Sequence, residues 1–140
     1  RASWNKRLHQ LIWKKNAPTF SMGRLDYQYQ HEPILYSWKG INHCYYAEVG
    51  RSIIEFDRPS SSKLHPTMKP IELIGLLIFN SSQIGEIVFD GFLGSGTTLI
   101  ACERQNRQCR AVEISPAYVA VTLQRFFDMT GQTPILLEHP

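Results

Sequence analysis

Apolar residues recur along this chain at two spacings, and the changes between them mark its elements. Residues 4–13, with Leu8, Leu11 and Ile12, read as the end of a helix entering a strand at Leu11 to Lys14. Residues 16–31 are polar and turn-rich, and Ile34 to Trp38 reads as a second strand with Gly40 as a turn. Val49 to Phe56 reads as a further strand, followed by a Ser-rich connector from Arg58 to Lys63. Ile71, Ile74, Leu77 and Ile78 then recur with the period of a helix. Pro70 suits the start of that helix, Glu72 complements its dipole, and Asn80-Ser81-Ser82 closes it. The run Glu86 to Phe89 is a strand that breaks into glycines, and Thr98 to Arg107 reads as the next helix. Cys109 to Glu113 is a short strand. Pro116 opens a helix whose Val119, Val121, Leu123, Phe126 and Phe127 are expected to pack on the sheet. Gly131 ends it, and Ile135 to Leu137 reads as a last strand.

Strands alternating with helices predict an α/β fold whose sheet is parallel wherever the crossover is helical. The strands near 34–38 and 49–56 have no helix between them and predict an antiparallel edge. With 140 residues there is room for one domain with a real core. The chain opens at Arg1 without an initiator Met, which is read as a fragment or processed form. No apolar run approaches the roughly 18 residues of a membrane span, and no signal-peptide pattern opens the chain. Cys44, Cys102 and Cys109 lack metal-ligand spacing; they read as reduced thiols in a cytoplasmic protein, with no metal site.

Net charge is +3, but it is divided unevenly. Residues 1–70 hold 11 Lys and Arg against 5 Asp and Glu; residues 71–140 hold 4 against 7. A basic half joined to an acidic half fits a region facing DNA beside a region holding a cofactor.

The densest chemical signal is Asp90-Gly91-Phe92-Leu93-Gly94-Ser95-Gly96-Thr97-Thr98. A strand, a glycine turn and a helix N-terminus form a ligand pocket, because glycine lets backbone approach a ligand closely. A phosphate-cradling loop requires Lys where Thr97 stands, and a dinucleotide fingerprint requires a third Gly where Leu99 stands. Neither fits. Glu113 follows Gly96 by 17 residues, near the roughly 20 expected of a carboxylate that grips ribose hydroxyls. Asp90 would repel a pyrophosphate and attract an amino-acid ammonium. A ribose joined to a cationic amino acid describes S-adenosylmethionine.

The nonapeptide at Asp90 resembles the D-x-F-x-G-S-G-T-T cofactor motif of DNA amino-methyltransferases, which methylate adenine N6 or cytosine N4. His65-Pro66-Thr67-Met68-Lys69-Pro70 resembles the H-P-T-x-K-P element that precedes this loop in their circularly permuted group. Glu113-Ile114-Ser115-Pro116-Ala117-Tyr118 is similar to their E-[IL]-x-P-x-Y. Ile12 to Asn16 and His31 to Lys39 resemble strands upstream. The resemblance implies a Rossmann-like methyltransferase fold with a mixed, mostly parallel sheet, incomplete in this chain. It divides residues 1–140 into a target-facing half (1–64) and a cofactor-binding half (65–140). It also implies that His65, Thr67, Lys69, Pro70, Asp90, Phe92, Gly94, Ser95, Gly96, Thr97, Thr98, Glu113 and Ile114 surround S-adenosylmethionine, with Thr67 also capping the helix. Lys14, Lys15, Arg24 and Tyr27, joined by Tyr29, are the candidates for contact with double-stranded DNA.

Amino-methylation needs no enzyme nucleophile; the base nitrogen attacks the methyl group while the protein holds the flipped base in line. The family does this with Asp/Asn/Ser-Pro-Pro-aromatic. Asp57-Arg58-Pro59-Ser60 is the nearest approach and lacks the second Pro and the aromatic. In the permuted group that tetrapeptide lies upstream of everything seen here, so it is expected before Arg1. The chain is therefore expected to hold the cofactor and to be inactive by itself. Adenine N6 is the expected target, on family frequency, with cytosine N4 as the alternative. A homodimer or a cognate restriction enzyme is the expected protein partner. Two rivals stay open: an inactive cofactor-binding remnant, as from a decayed prophage gene, and a nucleotide-dependent oxidoreductase or phosphotransferase.

Overall fold

A computed structural model describes residues 8–18, 26–39, 43–59 and 68–137. Its strands are β1 (Leu8–Lys14), β2 (His31–Ser37), β3 (Ile53–Glu55), β4 (Ile87–Asp90) and β5 (Gln108–Ala111). Its helices are α1 (Ile71–Ser81), α2 (Thr97–Arg104) and α3 (Pro116–Thr130). The strands form two sheets, one in the order β2-β1-β3 and one pairing β4 with β5. β1 runs antiparallel to β2 and parallel to β3, and β4 runs parallel to β5 across the α2 crossover.

The α/β class and the antiparallel edge stand, but the pairing differs from the expected one. β1 lies between β2 and β3, so the two later strands never meet. Pairing across a gap of many residues is decided by tertiary packing, which local periodicity does not encode. Leu8 to Gln10 belong to β1 rather than to a helix end, and β3 begins only at Ile53. The strand expected at Ile135 to Leu137 is absent. All three side chains are exposed and find no ladder to join.

α1 joins the sheets. The helix is apolar on nearly every face, although Phe79 in its last turn stays exposed. Leu73, Gly75 and Ile78 are buried, and Ile78 packs with Ala101 and Cys102 of α2, with Val88 and Cys109 beneath. Its first residues lie by the C-terminal end of β1, where the Lys69 ammonium sits 5.8 Å from the centre of the Trp13 ring. Its last turn lies by residues 43–50, where the Tyr46 amide donates to the Asn80 carbonyl at 2.9 Å. Trp13, 2% exposed, anchors the first sheet and donates its indole N–H to the Phe56 carbonyl at 2.9 Å.

α2 ends at Arg104, three residues before the expected Arg107. Asn106 takes a left-handed φ of 57° to turn the chain into β5. Arg107 then donates to the carbonyls of Ser82 and Gln105, both at 2.7 Å. α3 ends at Gly131, whose φ of 71° is the left-handed cap expected of glycine. Its apolar residues do not all pack inward. Leu123 and Phe127, one turn apart, are exposed, and the one fully buried position is Thr122.

Among the described residues nothing covers one face of the β4–β5 pair. Successive side chains of a strand point to opposite faces. Val88 and Cys109 point to the helices, whereas Ile87 and Phe89 point the other way and are 63% and 70% exposed.

Candidate functional site

The glycine loop is an organised turn at the C-terminal end of β4. Ladder bonding runs past the strands: the Val112 amide donates to the Asp90 carbonyl at 2.9 Å, and the Leu93 amide to the Val112 carbonyl at 3.1 Å. Gly94 and Gly96 have φ values of 57° and 83°, which side chains rarely adopt. At Gly96 a Cβ would stand 2.6 Å from Cγ2 of Thr122, so glycine is needed for space as well as for conformation. The Gly96 amide closes a turn onto the Leu93 carbonyl at 3.1 Å, and its own carbonyl receives the first bond of α2.

Two carboxylates brace this turn from opposite ends. Asp90 accepts from the Phe92 amide at 2.9 Å and from the Thr98 hydroxyl at 2.6 Å. It ties the strand end to the helix start. Glu113 accepts from the Gly94 amide at 2.7 Å and from the Ser115 amide at 2.8 Å. One side chain thus fixes the glycine turn and the approach to α3 together. Beside them Phe92 and Ile114 are each 95% exposed, an apolar pair at the tips of the two strands. Ser95 and Thr97 are buried.

The loop thus brings together Asp90, Phe92, Gly94, Ser95, Gly96, Thr97, Thr98, Glu113 and Ile114. Lys69 and Pro70 lie at the start of α1, and Lys69 is engaged elsewhere. Glu32 bridges Lys15 at 2.6 Å and Lys69 at 2.7 Å. The two ammoniums lie 5.2 Å and 5.8 Å from the Trp13 ring centre, near enough for attraction to its π face. Burial opposes ionisation of Glu32, but the bonds and charges of the two lysines outweigh it and hold its carboxyl below the usual range. Lys69 therefore clamps the start of α1 to β1 and β2. His65, Thr67 and Arg24 lie outside the described residues.

Of the candidates for DNA contact, Lys15 is 6% exposed within this ion cluster, which removes it from the surface. Lys14 is exposed and pairs with Glu55 at 3.0 Å, and Tyr27 is also exposed. A cavity of about 620 Å³, walled by His9, Tyr36, Trp38, His43 and Tyr45, lies at the C-terminal end of α1, far from the glycine turn. Chemistry and sequence point to the loop, and the cavity belongs to the other end of the domain.

Sequence reasoning missed the back of the loop. Thr122 donates to the Gly94 carbonyl at 3.0 Å, and the Arg125 guanidinium donates to the Ser95 carbonyl. Burial, with the charge of Arg104, lowers the Arg125 pKa. The available signal was a polar pair spaced i, i+3 in a helix otherwise read as apolar.

A sequence model of the DNA methylases, covering N6 and N4 methyltransferases, matches residues 4–124. The chain belongs to that family. Among its relatives, the type II methyltransferase M.XycI of Xanthomonas campestris pv. cyanopsidis is 31% identical over 127 residues, which cover 87% of this chain and 42% of that protein. The solved structure of an M1.HpyAVI–SAM complex matches with a TM-score of 0.69 and 25% identity, covering 84% of this chain and 60% of that one. A putative DNA modification methylase of Thermus thermophilus, complexed with S-adenosyl-L-methionine, matches with a TM-score of 0.65 and 26% identity, covering 92% and 56%. The Rossmann-like methyltransferase fold is therefore shared. This methylase chain spans less than half the length of M.XycI. Among its described residues no helix is long and apolar enough to cross a membrane.

Proposed function

We propose that this methylase chain forms the cofactor-binding portion of an S-adenosylmethionine-dependent enzyme that methylates double-stranded DNA on adenine N6. The observation that carries the reading is the turn at Gly94 to Gly96, braced by Asp90 and Glu113, in a chain of the DNA methylase family. The residues fit the cofactor. Glu113 would hold the ribose hydroxyls, the exposed Ile114 would flank the adenine, and the exposed Phe92 would lie at the methionine end. Gly94 to Gly96 would seat the methionine end, and Asp90 with Thr98 keeps that turn closed against it. When bound, the cofactor supplies an electrophilic methyl group on sulfur. These side chains orient it and give no nucleophile of their own. The tetrapeptide that orients the base does not occur in this sequence, so the chain by itself should bind cofactor and transfer nothing. Adenine N6 is proposed over cytosine N4 on its frequency in the family. The basic first half, with Lys14 and the exposed Tyr27, is the proposed DNA side.

Binding of S-adenosylhomocysteine, NAD and ATP, followed by thermal shift and calorimetry, tests the reading. Only the first should stabilise the protein, and Glu113→Ala should weaken it by roughly tenfold or more. Unchanged affinity in that variant removes Glu113 from the site, and stabilisation by NAD or ATP alone overturns the function.

A further inference from the structure

The turn that seats the ligand is held from behind by a helix that carries none of the loop motif. Thr122 and Arg125 lie one turn apart on α3 and bond to two consecutive carbonyls, those of Gly94 and Ser95. Arg125 also reaches the Ser95 hydroxyl at 3.3 Å. No peptide among the described residues is cis, and a trans peptide points its C=O and N–H in opposite directions. Fixing the Gly94 carbonyl on Thr122 therefore turns the Ser95 amide away from α3. Fixing the Ser95 carbonyl on Arg125 turns the Gly96 amide away as well, to the Leu93 carbonyl that closes the turn. The Thr122 methyl fills the space a Cβ would need at Gly96, so the same side chain sets the loop's depth.

We propose that Thr122 and Arg125 are positioning residues for the cofactor, presetting the shape of the glycine turn and the direction of the Ser95 amide before the ligand arrives. The inference rests on the reading of that turn as the cofactor seat. Preorganised donors lose little freedom on binding, so the contribution appears in affinity rather than in new contacts. Conversely, α3 belongs to the ligand-responsive part of the molecule, although its residues lie behind the turn.

Binding of S-adenosylhomocysteine to the intact protein, measured beside the melting temperature without ligand, tests this. Thr122→Val keeps the shape and removes the hydroxyl; it should raise Kd about tenfold, the weight of one lost hydrogen bond, with little change in unliganded melting. Thr122→Ser, which keeps the hydroxyl and loses only the methyl, should bind more tightly than Thr122→Val, and Arg125→Met should weaken binding at least as much as Thr122→Val. Hydrogen exchange at the Ser95 amide should quicken in both weakened variants. Wild-type affinity in Thr122→Val and Arg125→Met overturns the inference, and so does a lowered melting temperature with affinity unchanged. Where either variant fails to fold, Arg125→Lys keeps the charge and loses the planar fork, and undiminished affinity there overturns the inference equally. No binding by the unsubstituted protein sinks the cofactor reading and this inference with it; binding that survives the α3 substitutions sinks this inference alone.

Discussion

The two halves of this methylase chain are held together by different means. Around β4, α2, β5 and α3, side chains bond mainly to backbone: Asp90, Glu113, Thr122 and Arg125 each grip amides or carbonyls of one short turn. Around β1, β2 and β3, side chains also cluster with one another, through the Glu32 bridge to Lys15 and Lys69 beside the Trp13 ring and a run of rings from His9 to Tyr45, in addition to the Trp13 bond to the Phe56 carbonyl. Backbone-directed bonds fix a loop's conformation, whereas side-chain clusters fix which strand lies beside which. The first suits a ligand seat that must be exact before binding. The second suits a scaffold whose pieces come from distant parts of the chain.

Substitutions can separate the two. The largest effect should come from Trp13→Ala, which empties the anchor of the first sheet and removes its bond to Phe56. A loss of about 3–5 kcal/mol in denaturant unfolding is expected. A loss under about 1 kcal/mol, the range of ordinary surface changes, would place the anchor elsewhere. Next comes Gly96→Ala, which forces a side chain into a left-handed backbone and against Thr122. A cost of about 1–3 kcal/mol is expected, and S-adenosylhomocysteine binding should vanish while the hydrogen-exchange protection of β1 and β2 is kept. Protection lost equally in both halves would show that they do not act separately.

The smallest effect is one of pH. The Glu32 pKa is lowered in the folded protein. Its stabilisation is therefore present above the unfolded value of about 4.3 and is lost as pH falls through the folded value. Glu32→Gln should be less stable than wild type near pH 6, with the gap closing as pH falls below the unfolded value of about 4.3. A gap that stays constant or widens as pH falls would mean that the carboxylate's charge is not what holds Lys15 and Lys69.

The same contrast explains what could be read from the sequence. The glycine turn, its two carboxylates, α2 and α3 were legible because their partners lie close in sequence or carry a spaced motif. Asp90 reaches Thr98 within one loop, and Pro116 and Gly131 punctuate α3. Strand order was not legible. Whether β2 and β3 meet or flank β1 depends on contacts between residues far apart in sequence, which no short window contains. Lys15 looks like a surface cation until Glu32 and Trp13 are placed around it. Ile135 to Leu137 has the composition of a strand and finds no neighbour among the described residues. Thr122 and Arg125 were hidden for the opposite reason: in a helix read for its apolar stripe, polar residues are assigned to solvent.

The exposed face of β4 and β5 has an evolutionary consequence. Val88 and Cys109 must fit a core closed by α1 and α2, so volume limits what can replace them. Ile87 and Phe89, one residue to either side of Val88, are exposed among the described residues of a chain that spans less than half the length of M.XycI. Parallel strands are ordinarily covered on both faces, so exposure here does not free these positions from packing. Divergence at them should keep to apolar, strand-forming residues.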